Sequence, residues 1–170
     1  MRILGIDPGY GRMGYGVIEK NTKGEWKALA WGCVETEPKT DIADRLCIIK
    51  SELLKIIKEY KPDRAAVEEL FFFKNVTTAV NVGQARGVII LTARENGLAV
   101  DEFTPLQVKQ AITGYGKAEK DQMQKMVAVI LGLKEKIKSD DAADALGIAL
   151  CAGQSLWMKI GQRVGSSPVA

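Results

Sequence analysis

The first 35 residues constrain the fold most, because they predict three β-strands in succession with no helix between them. A short apolar run at residues 3–6 is followed by Asp7-Pro8-Gly9, a pattern typical of a buried strand that ends in a turn. Residues 15–20 and 26–35 predict two further strands, joined by a hairpin loop at residues 21–24. The side chains of the third strand are expected to alternate regularly between its two faces, one of which is formed by Trp26, Ala28, Ala30, Gly32 and Val34.

Helices and strands alternate after this antiparallel meander. Apolar residues at steps of three and four predict a helix that ends at residue 60, with Thr40 as its N-cap. A strand at 64–70, a helix from 75 or 77 to 96 and a strand at 98–103 follow. Thr104-Pro105-Leu106-Gln107 predicts a capping box for a short helix that ends at Gly114. Two more helices are expected at 118–131 and at about 140–157, the last capped by Ser139.

This order of elements predicts an α/β fold around a central five-stranded mixed sheet flanked by helices. Two right-handed crossovers would place the fourth and fifth strands parallel to the first, while the meander keeps strands 1–3 antiparallel. The first strand would then lie at the topological switch point, where ligands bind beyond the carboxyl ends of strands. Residues 1–158 are expected to form one domain, and residues 159–170 a disordered tail.

The chain contains no histidine, which limits the side chains that could act as catalytic bases or metal ligands. His-based triads and imidazole general bases are therefore excluded, as are zinc sites that need histidine. The three cysteines lack metal-type spacing and fit reduced thiols in a cytoplasmic protein. No apolar run approaches the ~18 residues of a membrane span, and a strand that begins at residue 3 leaves no room for a signal peptide.

The Gly9-x-Gly11-x-x-Gly14 spacing matches a dinucleotide-binding fingerprint, but its context does not indicate nucleotide binding. That fingerprint requires a following helix, whose N-terminus holds the pyrophosphate. Residues 15–19 predict a strand instead. We therefore expect no nucleotide at this loop.

Four acids are candidate site residues, although each also has a structural explanation. Asp7 would serve the Asp-Pro-Gly turn, and Glu68 would reach solvent where its strand ends. Asp141 would complement the dipole at the start of the last helix. Asp144 lies one turn further along the same helix face, among alanines, and a polar residue on a buried face requires a partner.

Taken together, the four carboxylates indicate a metal site. No compensating arginine lies in their own segments, so clustering them would require bound cations. Oxygen ligands select Mg²⁺ or Mn²⁺ rather than zinc. Two such ions, ~3.5–4 Å apart, can clamp the attacking and leaving oxygens of a phosphodiester displacement and activate water.

Two other features are typical of nucleic-acid binding. Residues 105–138 contain seven lysines against three acids, a basic segment suited to phosphates or simply a solvated helical face. Phe71-Phe72-Phe73 follows Glu68 closely, and at least one of these rings is expected to be exposed and able to stack on an unpaired base. The others would pack into the next helix.

Several of these motifs closely resemble the RuvC family of bacterial Holliday-junction resolvases, which has a ribonuclease H-like fold. The resemblance extends over residues 1 to about 153, in order and with matching spacing. The matching stretches are Ile6-Asp7-Pro8-Gly9, Gly14-Tyr15-Gly16, Val67-Glu68-Glu69, Phe71, Lys74-Asn75, Gly83-Gln84-Ala85-Arg86-Gly87, Gln107-Val108-Lys109-Gln110, Ala118-Glu119-Lys120 and Asp141-Ala142-Ala143-Asp144-Ala145-Leu146.

The resemblance implies a homodimeric, Mg²⁺-dependent endonuclease that nicks two strands of a four-way DNA junction symmetrically, in DNA recombination and repair. Two ions per site are expected, with Mn²⁺ as a substitute, and some relatives carry His where this chain has Asp141. The resemblance makes Asp7, Glu68, Asp141 and Asp144 the catalytic and metal-binding acids. It places DNA contacts at Phe71, Lys74, Lys109, Lys117 and Lys120.

The same resemblance places the small-residue patch at Gly83–Gly87 near the dimer interface and implies the RuvA–RuvB branch-migration complex as a partner. Two alternatives stay open at this point. One is a non-catalytic DNA-binding module on the same fold. The other is an actin-like or sugar-kinase ATPase, a class that usually needs two such domains.

Overall fold

A computed structural model of the chain contains the expected five-stranded mixed sheet. The structure describes residues 1–69 and 76–164, with side chains up to residue 156. The strands are β1 (Arg2–Asp7), β2 (Arg12–Lys20), β3 (Trp26–Glu35), β4 (Arg64–Glu68) and β5 (Ala99–Phe103). Their order is β3-β2-β1-β4-β5. The pairs β1–β2 and β2–β3 are antiparallel, and β1–β4 and β4–β5 are parallel. The predicted topology is therefore confirmed, with β1 at the centre.

Helices cover both faces of this sheet. They are α1 (Ile42–Tyr60), α2 (Val76–Glu95), α3 (Pro105–Thr113), α4 (Lys120–Leu131) and α5 (Asp140–Val164). One apolar layer joins α1 and α2 to residues such as Leu4 and Ile6 of β1, and the other joins α3, α4 and α5 to Ile3 and Ala66. None of the helices in the described ranges is long and apolar enough to cross a membrane.

The regular alternation predicted for β3 is wrong, because the strand carries a bulge. Ala30 pairs with Val17 of β2, but the next β2 residue, Ile18, pairs with Ala28, so Leu29 is left without a partner. Because of this extra residue, even-numbered side chains before the bulge and after it lie on opposite faces of the sheet. Trp26 and Ala28 consequently pack with the α5 layer, whereas Val34 packs with the α1 layer.

Helix ends agree with the sequence where side-chain capping is strong. Thr104 and Gln107 form the reciprocal hydrogen bonds of a capping box, as predicted. Thr40 is not the cap of α1. Asp41 occupies that position and makes no side-chain cap hydrogen bond. The sequence around the start of α1 therefore did not mark its first residue.

The last helix is longer than expected. The Ser139 hydroxyl accepts a hydrogen bond from the Ala142 N–H at 3.4 Å, in agreement with its predicted capping role. α5 then continues to Val164, beyond the predicted end at residue 157. The domain boundary at residue 158 stays a prediction.

Candidate active site

Two of the four acids lie side by side at the carboxyl edge of the sheet. Asp7 is the last residue of β1 and Glu68 the last residue of β4. These strands are parallel and pair Ile6 with Val67, so the next residue of each strand reaches the same edge. Because Ile6 and Val67 both pack in the α1–α2 layer, Asp7 and Glu68 lie on the opposite face, toward α5.

The other two acids are brought to this edge by close packing of α5 on the sheet. A Cβ added at Gly14 would collide with the main-chain oxygen of Asp141, and one at Gly5 with that of Ala145. Only glycine lets the strand and helix backbones approach this closely. The first two turns of α5, which carry Asp141 and Asp144, therefore lie directly over β1 and β2.

Burial and mutual repulsion make ionisation of this cluster costly. The pKa of Asp7 is raised from 3.8 to about 7, mainly by burial and then by the charges of Glu68, Asp144 and Asp141. Burial, followed by the charge of Asp144, raises the pKa of Glu68 from 4.5 to about 7. Burial also raises the pKa of Asp144, although Lys120 opposes this. The acids therefore share one electrostatic site, which overturns the interpretation of Asp7 as a turn residue alone.

Two of the predicted lysines adjoin these acids. The Lys120 ammonium at the start of α4 lies 3.3 Å from a carboxylate oxygen of Asp144 and 3.2 Å from one of Asp140. Lys109 of α3 lies close enough to Glu68 to oppose the rise in its pKa. A cavity of about 160 Å³ is lined by both lysines together with Glu68 and Asp144. This cavity has the charges needed to place a phosphate group beside carboxylates.

Arg12 is a site residue that the sequence reasoning missed. Its guanidinium lies 2.8 Å from a carboxylate oxygen of Asp141 and 3.7 Å from one of Glu35. The Cys33 thiol is also near, 3.8 Å from Asp141. Arg12 lies in a different segment from Asp141, so the search for compensating arginines within the acids' own segments did not reveal this ion pair. The signal available was the position of Arg12, two residues before Gly14 at the start of β2.

The loop between Asp7 and Arg12 is anchored by a buried arginine. Arg45 of α1 donates a hydrogen bond of 2.8 Å to the Thr36 hydroxyl, which donates in turn to the Tyr10 carbonyl at 2.6 Å. The Arg45 guanidinium also lies over the Tyr10 ring, 4.6 Å from its centre. These contacts fix the connection that positions Asp7 and Arg12.

A second arginine holds the end of β4. Arg86 of α2 donates a hydrogen bond of 3.2 Å to the Glu68 carbonyl oxygen and forms an ion pair with Glu102 of β5. It thereby joins α2 to the backbone that carries a site carboxylate. Arg86 belongs to the Gly83–Gly87 stretch, so one part of that stretch supports the site.

The donor chemistry of the four acids fits a hard divalent cation, because all the ligands are carboxylate oxygens whose repulsion a cation would relieve. Within residues 1–69 and 76–156, no three Asp, Glu, Cys or His side chains converge as a ready-made coordination sphere. Asp141 and Asp144 are instead paired with Arg12 and Lys120. Metal binding would therefore require these two acids to exchange an ion pair for the cation.

The remaining three predicted DNA-binding residues are Phe71, Lys74 and Lys117. Phe71 and Lys74 fall outside the described residues. Lys117 is exposed in the connection between α3 and α4, and no contact joins it to the four acids in the part of the chain that the structure describes. Their assignment to DNA binding stays a prediction.

Comparison with known proteins gives consistent matches over nearly the whole chain. The RuvC relative from Caldicellulosiruptor saccharolyticus, named crossover junction endodeoxyribonuclease, is 54% identical over 151 residues, which are 89% of this chain and 91% of the relative. The Thermus thermophilus RuvC structure has a TM-score of 0.84 at 37% identity, with 95% of this chain and 97% of that chain covered.

A second Thermus thermophilus RuvC structure, in complex with a Holliday junction substrate, has a TM-score of 0.82 at 34% identity and covers 95% of this chain and 97% of that chain. The family model described as crossover junction endodeoxyribonuclease RuvC matches residues 3–152. Apart from Arg2 at the start of β1, this range contains the five strands, together with the four acids and the cations that contact them. The chain therefore belongs to the RuvC family of crossover junction endodeoxyribonucleases.

Proposed function

We propose that this chain is a structure-selective endonuclease that resolves four-way DNA junctions by symmetric paired nicks, in DNA recombination and repair. The observation that carries the proposal is the meeting of four carboxylates at the end of β1, flanked by Lys120 and Arg12. Buried acids beside partly exposed cations are suited to phosphodiester hydrolysis, which needs both a metal site and phosphate contacts.

Asp7, Glu68, Asp141 and Asp144 would hold Mg²⁺, with two ions per site and Mn²⁺ as a substitute. When bound, the metal supplies an activated water molecule and stabilises negative charge on the phosphate. The acids bind metal only when they are ionised. Because the pKa of Asp7 and that of Glu68 are each raised to about 7, metal binding is expected to depend on pH. At subsaturating Mg²⁺, cleavage is expected to accelerate as pH rises toward about 7, because metal binding must displace the protons of these acids.

The flanking cations would position the DNA. Lys109 and Lys120 line the cavity beside Glu68 and Asp144, where they can bind the phosphate next to the cleaved bond. Arg12 is 54% exposed and contacts Asp141 from the other side. Once Asp141 binds metal, the Arg12 guanidinium is available for a phosphate of the same strand.

A homodimer is supported by the outer face of α2. Val76, Val80 and Leu91 are exposed large apolar residues at helical spacing. Gly87 lies between them, and a Cβ there would meet nothing within 4 Å. A second copy of this chain could pack closely along this stripe, and a two-fold axis would relate the two active sites as paired nicks require.

Dimerisation is tested by sedimentation of the wild type and Leu91→Glu. The wild type is expected to sediment as a dimer and the variant as a folded monomer that binds junctions less tightly. A monomeric wild type would contradict the dimer proposal. Ser51→Glu, at an exposed position of α1, introduces the same single negative charge and is the matched control.

Three family expectations stay predictions. They are base stacking by Phe71 with phosphate contact by Lys74 and Lys117, association with the RuvA–RuvB complex, and a cytoplasmic location. The described residues contain no contact that bears on any of the three.

The proposed activity is tested with a synthetic four-way junction and a linear duplex of the same sequence. With Mg²⁺, the wild type is expected to cut the junction at symmetric positions and leave the duplex intact. Asp7→Asn is expected to bind the junction with similar affinity but not to cut it. If the wild type binds junctions of varied sequence but cuts none with Mg²⁺ or Mn²⁺, the chain is a non-catalytic binding module.

A further inference from the structure

An aromatic residue of the outer strand faces two lysines of the connection from α4 to α5, in a cleft that the proposed mechanism does not use. The cleft has a volume of about 270 Å³ between β3 and the connection from α4 to α5. We call it the Trp31 cleft. Its lining includes Trp31, Glu135, Lys136, Lys138, Ser139 and Ala142.

The Trp31 cleft adjoins the acid cluster on the side away from Lys109. Ala142, which lines it, follows Asp141 in α5, and Cys33, two residues after Trp31 in β3, has its thiol 3.8 Å from Asp141. β3 and β4 lie on opposite sides of β1 in the sheet. A strand of DNA held by Lys109 beside β4 would therefore approach this cleft after it crosses the acids.

The chemistry of the cleft suits a nucleotide. Trp31 is 39% exposed, so part of its ring is available for stacking. The ammonium groups of Lys136 and Lys138 are exposed and form no ion pair within 4 Å in the part of the chain that the structure describes. Glu135 is the one acid in the lining, so the cleft keeps a net positive charge. An aromatic face beside unpaired lysines is the combination that binds single-stranded nucleic acid.

We propose that the Trp31 cleft binds a nucleotide of the cut strand outside the cleavage position, with the base or sugar on Trp31 and phosphates on Lys136 and Lys138. This inference rests on the proposed junction-cleaving function and extends its substrate contacts to the β3 side of the site. A second copy of this chain on the β3 edge is the competing occupant, and the experiment below distinguishes it.

The binding test uses Asp7→Asn as the parent, so that the junction is not cut. Trp31→Ala is expected to lower junction affinity about 5-fold or more. Lys136→Ala/Lys138→Ala is expected to reduce the slope of log affinity against log salt by about 1.4 to 1.8, since each phosphate contact contributes about 0.7 to 0.9. Lys23→Ala/Lys27→Ala, two exposed lysines toward the other end of β3, is the matched control and should leave the slope unchanged.

A fluorescence measurement assigns the effect to Trp31 itself. A variant with Trp26 and Trp157 replaced by phenylalanine keeps Trp31 as its only tryptophan. Its emission is expected to change as junction is added and to saturate with binding. Emission that responds to protein concentration but not to DNA would assign the cleft to a second copy and overturn the proposal.

The outcomes separate the two proposals. If the parent binds the junction and the Trp31 and lysine variants bind with the same affinity and salt slope, this inference fails and the junction-cleaving function stands. If the wild type neither binds nor cuts four-way junctions, the proposed function fails and the inference fails with it. The lysine variants keep the test decisive if a tryptophan substitution prevents folding, because both side chains are exposed.

Discussion

Replacing Asp7 by asparagine is expected to stabilise the metal-free protein at pH 8 even though it abolishes cleavage. The physical reason is the cost of ionising a carboxyl that is largely removed from water and faces three other acids. Asparagine has nearly the same shape and carries no charge. The substitution thus removes the electrostatic cost and leaves the packing around residue 7 almost unchanged.

The magnitude follows from linkage between protonation and folding. The pKa of Asp7 rises from 3.8 in the unfolded chain to about 7 in the folded protein. Between these values the folded state binds a proton that the unfolded state has lost, so wild-type stability falls as pH rises from about 4 to about 7. Each pH unit corresponds to about 1.4 kcal/mol, so the penalty reaches at most roughly 4 kcal/mol at pH 8. Partial exposure of the carboxyl lowers the expected advantage of asparagine to about 1–3 kcal/mol.

The assay is urea unfolding in EDTA at fixed protein concentration and ionic strength, from pH 5 to pH 8. The advantage of Asp7→Asn should grow between pH 5 and pH 7 and level off above about pH 7.5. Added Mg²⁺ should stabilise the wild type at pH 8 much more than the variant, because ligands that bind the folded state raise its stability. Glu37→Gln, at an exposed acid in the connection from β3 to α1, is the control and should show neither effect.

Two results would refute this reasoning. If Asp7→Asn were no more stable than the wild type at any pH, Asp7 would not be in an electrostatically costly position. If its advantage were constant from pH 5 to pH 8, the cause would be packing or hydrogen bonding, since these effects do not follow the titration of a carboxyl.

Three further substitutions test how the site is positioned. Gly14→Ala is expected to cost about 1–3 kcal/mol in urea unfolding and to slow cleavage, because its Cβ would collide with the Asp141 main chain; unchanged stability would contradict the close approach of α5. Arg45→Met should cost about 1.5–3 kcal/mol through loss of its buried hydrogen bond, and thermal unfolding measures this. Lys120→Met should weaken junction binding and slow cleavage without weakening Mg²⁺ binding, because Lys120 competes with metal for Asp144. Calorimetric titration with Mg²⁺ checks the last point, and a loss of metal affinity would contradict it.

The fold could be predicted from the sequence because its signals are local and agree with one another. Three strand patterns in succession, followed by alternating helices and strands, leave few topologies for a single sheet. The Thr104 capping box was equally clear, since both of its hydrogen bonds lie within four residues. Thr40 and Asp41 show the limit, because neither makes a side-chain bond in α1 and the sequence could not separate them.

The features that the sequence could not give depend on pairing between distant segments. The bulge at Leu29 arises from the register of β3 against β2, and nothing within β3 itself marks it. The contact of Arg12 with Asp141 joins the second strand to the last helix. The four acids could be identified because the chain has no histidine that could serve as base or ligand instead, but Arg12, the counter-ion of Asp141, could not. Family membership over residues 3–152 favours the nuclease over the ATPase alternative.

The ion pairs of Asp141 and Asp144 explain how one fold tolerates four acids before metal binds and contacts DNA afterwards. Without metal, Arg12 and Lys120 reduce the repulsion that would otherwise separate α5 from β1. Metal binding takes over that role, since a divalent cation neutralises carboxylates more strongly than one partly exposed side chain. The two cations would then keep only their second acidic partners, Glu35 for Arg12 and Asp140 for Lys120, and a DNA phosphate could replace the site acids. The groups that stabilise the metal-free protein are therefore the ones best placed to bind its substrate.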